Sequence, residues 1–279
     1  MTFKTIFLAT TLLMSSGCNA FTESPSIQET SPQVILKEVT INTAQLAALW
    51  LPLCTASATA HELGHALAGL ALFESLHDLE IHIGGISQLK ENTKTEELFS
   101  VGTMYFHTDA WQGHGYTIFN GNLNETNFDL KLNAMIAAGP LAGILFNYAA
   151  LVAASTYCSY ADDKKLSSAM TSSLRTALCP FNAILKTENI SPACKRVLLN
   201  ASFLHCLYLT YNVFYGLTPF LGDKNGDGVR LWKAMGVEGK ALTAASALSV
   251  AGYLTSIAFI VKNFCQAHKE LFAQHKEAI

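Results

Sequence analysis

The sequence predicts an all-α polytopic membrane protein with about four transmembrane helices. A small β-rich insertion at the membrane face separates the first two. Three observations predict this class. Hydrophobic residues make up 50% of the 279 and charged residues only 14%, against about 25% charged in a soluble chain. Mean hydropathy is positive, at +0.27. The apolar residues also fall in blocks, several as long as the roughly 20 residues that cross a bilayer. The same composition excludes a disordered chain and a coiled coil. A net charge of −3 leaves no basic footprint for a phosphate backbone, so no nucleic-acid partner is expected.

Taken in order, residues 1–20 read as a signal peptide or N-terminal anchor. Lys4 supplies the basic end, Ile6–Met14 the apolar stretch and Ser15–Ala20 the mostly small residues. Ser16-Gly17-Cys18 is close to a lipoprotein box, with Ser15 where a leucine is expected. Each version exports the residues after about 22, and 21–45 form an exposed linker. The membrane-embedded core, 46–264, carries spans at about 46–73, 132–160, 197–221 and 241–261. Leu46–Phe73 holds a single formal charge, Glu62, whereas Leu132–Ala161, Val197–Gly222 and Ala241–Val261 hold none.

The insertion, 74–131, carries nine acids against three lysines. Its strand-like stretches, Leu79–Ile83, Phe99–Phe106 and Tyr116–Phe119, are separated by Gly, Asn and Asp. Segment 162–196 holds six Lys and Arg residues, and Arg175 and Pro180 break its weakly apolar middle, which gives a loop or interfacial helix. Residues 265–279 form a C-terminal tail. The seven cysteines are scattered without a CxxC pair, so they provide neither a disulfide framework nor a Cys-rich zinc site. Cys54 and Cys206 sit inside apolar runs and read as packing residues.

The chemistry lies in the first span, at His61-Glu62-Leu63-Gly64-His65. Histidines four apart share one helical face, so both imidazoles can reach one metal ion, and the intervening glutamate can hold its water. Two satisfied histidines and a surface glutamate would be the bland alternative. Ionisable groups in a spanning helix are costly and usually functional, which weighs against it. Two histidines and a water leave one protein ligand to find. The longer HExxHxxGxxH pattern is excluded, because its Gly and last His positions are Ala68 and Ala71. Glu74 and Glu80 follow too closely along the same chain direction to fold back. Asp223 and Asp227, just after the third span, are better placed. Asp223 is nearer the helix end and Pro219. Asp227 precedes Gly228, which would let the backbone turn sharply beside a metal. With one span between them, the first and third spans run parallel, so their C-terminal ends reach the same membrane side.

The HELGH motif in a span, Ala138-Gly139-Pro140 in the next, and the late Asp227-Gly228-Val229-Arg230 together resemble the site-2 protease family of intramembrane zinc metalloproteases. The resemblance runs from about residue 46 to 235. It implies that His61, His65 and Asp227 hold one Zn2+ per chain and that Glu62 is the general base. Gly139, Pro140 and Pro219 would then line the site. The chain departs from the family in two places. Gly216 stands three residues before Pro219, where the family often has Asn, and the path from Pro219 to Asp227 is longer than in the commonest version. Both departures fall on the segment to which the resemblance assigns substrate clamping, and they bear on that role more than on the metal site.

The expected activity is hydrolysis of peptide bonds in or next to transmembrane segments of membrane proteins or membrane-anchored peptides. The expected setting is the lipid bilayer of a bacterial inner (cytoplasmic) membrane. Two competing classes are a non-proteolytic membrane protein that keeps a zinc site or binds a partner, and a secreted soluble zinc hydrolase whose apolar runs are core helices. An exported N-terminus would leave the six-basic segment outside, against the positive-inside rule.

Lesser features have plainer readings. Asp223-x-Asn225-x-Asp227-Gly228 resembles the start of an EF-hand loop but has Ala234 at its twelfth position. Gly139-Pro140 either tolerates a kink between packed helices or opens a polar lining beside the metal. His205 reads as a packed histidine, and His77, His82, His107 and His114 as surface residues. Asn147 reads as helix–helix glue.

Overall fold

The computed structural model describes residues 32–74, 77–85, 97–110, 115–120, 126–163, 169, 170, 173, 177, 180–220 and 226–277. The signal or anchor segment 1–20 lies outside them, as do Cys18, His114, Cys179 and Asp223. Along the described chain run α1 (Pro32–Leu72), β1 (His77–Ile83), β2 (Glu97–Val101), β3 (Met104–His107), β4 (Gly115–Asn120) and α2 (Phe128–Asp163). There follow α3 (Pro180–Lys186), α4 (Pro192–Tyr211) with a π-helical turn (Asn212–Gly216), α5 (Asp227–Ala234) and α6 (Gly239–Glu277).

The chain is mostly helical, with four helices long and apolar enough to cross a membrane: Leu36–Leu72, Phe128–Asp162, Pro192–Gly216 and Gly239–Gln274. The fold class read from the apolar blocks agrees at this level. The ends differ. Much of the expected linker is already helix from Pro32, and the expected C-terminal tail continues α6 to Glu277. Charge-free runs mark where a helix is apolar, not where its backbone hydrogen bonding stops.

The stops and starts have local causes. α1, α3 and α4 each begin on a proline, whose missing N–H is one that a first turn leaves unbonded anyway. Ser191 caps α4, its Oγ accepting from the Cys194 N–H at 3.3 Å. α5 ends in a Schellman motif: Gly236 at φ 79° lets its own N–H reach Lys233 O and that of Val237 reach Trp232 O. That stop separates the short α5 from the long α6. Segment 162–196, expected as loop or interfacial helix, contains the short α3 and the start of α4.

Two compact units share these helices. The first comprises Met1–Trp50, Tyr148–Leu207 and Ile257–Ile279; the second comprises Leu51–Asn147 and Tyr208–Ser256. In the first, a polar relay joins α1, α4 and α6. Asn42 Nδ2 lies 3.3 Å from His268 Nδ1, His268 Nε2 lies 3.1 Å from Asn200 Oδ1, and Asn200 Nδ2 donates to Gln45 Oε1 at 3.0 Å. Arg196 pairs with Glu38 at 2.5 Å nearby. His205 is buried in this unit, in keeping with a packed residue.

The second unit holds the sheet, ordered β2-β3-β1-β4, with β3 parallel to β1 and the other two pairs antiparallel. The expected single strand Phe99–Phe106 is instead a hairpin, β2 turning into β3 at Gly102-Thr103. Gly102, at φ 62°, provides the left-handed residue that this two-residue turn needs. Ile81 and Ile83 alternate onto one face and pack with Leu79, Met104 and Phe106 against Ala58, Leu63 and Ala66 of α1. The sheet therefore sits on the helix that carries the HELGH motif.

Asn147 joins α2 to α1: fully buried, it donates from Nδ2 to Ser57 Oγ at 2.9 Å and to Gly143 O at 2.7 Å. Bonds of this kind between apolar helices contribute about 0.6 kcal/mol on average and up to about 1.7. Asn147→Ala should therefore destabilise the detergent-solubilised protein by an amount in that range, seen as a lower unfolding midpoint. An unchanged midpoint would remove the bond from the list of what holds α2 on α1.

Candidate metal centre

The 3.6-residue period of α1 stacks His61 and His65 on one side, with ring centroids 4.9 Å apart and planes at 75°. Asp227 opens α5 and closes the group. Its Oδ2 lies 3.1 Å from His61 Nε2 and 3.2 Å from His65 Nε2. Two metal bonds of about 2.0–2.1 Å at a tetrahedral angle hold donor atoms about 3.3 Å apart, so the spacing suits one ion such as Zn2+. Among the described residues this is the group of His, Cys, Asp and Glu whose ligand atoms come together closely enough to do so. Asp223 lies outside the described residues, so the geometry speaks for Asp227 alone.

The far nitrogen of each ring decides what the near one presents. His61 Nδ1 lies 2.8 Å from Asn212 Oδ1, and His65 Nδ1 lies 2.9 Å from Met135 O. Both partners only accept, so each Nδ1 carries a proton, and an imidazole without a second proton turns its Nε2 lone pair inward. With the Asp227 carboxylate, three lone pairs converge on one point. A proton or a metal ion between them relieves the repulsion of acceptors that face one another, and the donor set fits a divalent metal. Burial pushes the Asp227 carboxyl up, but hydrogen bonds from His61 and then His65, when their Nε2 atoms carry protons, outweigh it and hold the carboxyl well below the usual carboxylate range.

Glu62, 5% exposed, lies beside the ligand pair and is held by a residue of the insertion. Thr117 Oγ1 donates to Glu62 Oε2 at 2.9 Å and lies 3.3 Å from its main-chain O. The register pairs Thr117 with Ile81 and so places it on the face of the sheet that meets α1. Sequence alone gave no signal for this contact. Asn212 was missed too, although a carboxamide inside the charge-free Val197–Gly222 run was there to be noticed.

Of the weaker site residues, Gly139 faces His65 so closely that a Cβ there would overlap its ring. Its absent side chain makes room for the His65 ring. Pro140 and Pro219 are fully buried. Gly228 serves a purpose other than the sharp turn expected of it. It lies inside α5 without a positive φ, and a Cβ there would collide with the Thr218 backbone. Close approach of two chain segments requires this glycine.

The other face of the sheet corrects the reading of His82 and His107 as surface residues. His82 stacks between Tyr105, at 4.8 Å, and Tyr116, at 4.5 Å. Its Nε2 lies 3.1 Å from Glu80 Oε2 and its Nδ1 2.9 Å from His107 Nε2, with His107 buried. Cross-strand register brings together groups that are far apart in sequence. The His77 side chain, like His114, lies outside the described residues.

Comparison with family models finds no match, and comparisons with curated proteins and with solved structures find none either. The functional reading rests on the residues themselves.

Burial, and then the neighbouring His82, lower the His107 pKa, while Asp109 and Glu97 pull the other way less strongly. The folded value lies below the unfolded one of about 6.5, so the unfolded chain binds more protons in acid. Stability from this group is complete above about pH 6.5 and falls as pH drops below that value. Amide exchange in β1 and β3, corrected for its intrinsic pH dependence, should speed up between about pH 7.5 and about pH 5.5. His107→Gln should abolish that acceleration; its persistence would locate the sensitive group elsewhere.

Proposed function

We propose that this chain is an integral-membrane zinc endopeptidase of the site-2 protease type, cutting peptide bonds in or next to transmembrane segments of its substrates. The observation that carries the reading is the convergence of His61, His65 and Asp227 lone pairs beside Glu62, on a helix long and apolar enough to span a membrane. The bilayer setting is supported by large apolar side chains left exposed along the same helices, among them Leu67, Leu70, Leu145, Leu248 and Phe259. A soluble hydrolase would have to hide them.

In this reading His61, His65 and Asp227 hold one zinc ion, which supplies polarisation of the scissile carbonyl and a water acidified to a pKa of about 7. Glu62 takes the proton of the attacking water and passes it to the leaving amine. Thr117, bonded to Glu62 Oε2, keeps that carboxylate in place between the two transfers. The substrate's own backbone hydrogen bonds must open before attack, because a helical peptide bond is shielded.

Two variants test the roles. Glu62→Gln keeps the shape and loses the base, so it should retain zinc while cleavage of a model transmembrane peptide falls by at least about 100-fold. Full activity would take Glu62 out of the mechanism. Asp227→Ala should lose most of its zinc, because two histidines and water rarely hold the ion tightly. Asp223→Ala should keep its zinc, and the reverse pattern would show that the ligand is Asp223. Release of the protein by alkaline carbonate without detergent would sink the membrane assignment.

A further inference from the structure

The two histidine ligands are oriented by different means. His65 gives its Nδ1 proton to a main-chain carbonyl, Met135 O, which no side-chain substitution removes. His61 relies on the side chain of Asn212, through a contact of 2.8 Å. Asn212 is buried at the first position of the π-helical turn, a kind of distortion that recurs at functional sites. Its amide orientation is fixed from the other end, where Nδ2 donates to Tyr208 O at 2.9 Å. That leaves only the carbonyl oxygen to face His61. On α2, Gly143 forms the wall behind the carboxamide, since a Cβ there would overlap Asn212 Oδ1 and Cγ.

We infer that Asn212 is a positioning residue for the metal centre: by accepting from His61 Nδ1 it fixes that ring's tautomer and aim, and so sets metal affinity. The inference rests on the zinc reading above. An imidazole free to rotate or to carry its proton on Nε2 offers no lone pair to the ion. Outer partners of ligating histidines typically change metal affinity by 10- to 100-fold when removed. A competing role would be purely structural, with the amide N–H satisfying the Tyr208 carbonyl where the helix widens and the contact to His61 incidental.

Zinc affinity of the full-length protein in detergent, measured by competition with a chelator, separates the two. Asn212→Leu removes both bonds and should weaken zinc binding by about 10- to 100-fold. Asn212→Asp keeps the acceptor toward His61 and loses the donor toward Tyr208, so it should bind zinc as tightly as the parent or tighter. Gly143→Ala provides a second route that leaves Asn212 in the sequence and does not depend on the leucine variant folding. Its added methyl displaces the carboxamide and should weaken zinc similarly, although alanine favours a helix more than glycine does. Equal loss in Asn212→Asp and Asn212→Leu would overturn the inference in favour of the structural role. Parental affinity in both Asn212→Leu and Gly143→Ala would overturn it as well. If the parent itself binds no zinc, the zinc reading fails, and the positioning role goes with it.

Discussion

The site depends on one convergence, in which the Asp227 carboxylate stands 3.1 and 3.2 Å from two imidazole nitrogens that both present lone pairs. Holding a carboxylate against two imidazoles requires the surrounding chain to bring distant segments together. The short α5 and the segment before it meet that demand. Trp232 Nε1 donates to Leu217 O at 3.2 Å, and Gly228 lets α5 lie against Thr218. The Schellman stop at Gly236 then ends the helix that Asp227 opens.

Polar groups in apolar helices impose a second constraint. Each of those at the site has a partner drawn from a distant part of the chain. Asn212 answers His61, Met135 O answers His65, Thr117 answers Glu62 and Ser57 answers Asn147. An unanswered group there would cost several kcal/mol in hydrocarbon. The β-rich insertion is thereby tied to the chemistry. Its apolar face rests on α1 through Ile81 and Ile83, and the same face provides the hydroxyl that holds Glu62. A polar insertion that looked peripheral in sequence contributes directly to the environment of the glutamate.

What could be read in advance was local. The HELGH spacing, the apolar blocks and the Asp-Gly pair all lie within short windows, and periodicity or run length reveals them. The helix ends were less legible, because polar residues continue a helix as readily as they end it once a cap or a packing partner decides. The β2–β3 hairpin was hidden by a two-residue turn whose only mark is Gly102. Asn212 and Thr117 were illegible for a different reason. They sit 151 and 55 residues from the groups they hold, and only the packed fold brings them near. Gly228 was singled out correctly for the wrong cause, since its small size admits the Thr218 backbone and its conformational freedom goes unused.

Helix length bears on where the centre sits, if the chain spans a bilayer as proposed. α1 has 41 residues and is therefore about 60 Å long, twice the roughly 30 Å of hydrocarbon. Its first part cannot all be in lipid: Glu38 pairs with Arg196, and Asn42 and Gln45 belong to a polar relay with His268 and Asn200. If hydrocarbon begins near Leu46, His61 lies about 22 Å and His65 about 29 Å further along. The ligands then fall close to the opposite surface of the slab and not at its centre. The proposed hydrolysis would need that placement. Water could then reach those groups without crossing the hydrocarbon.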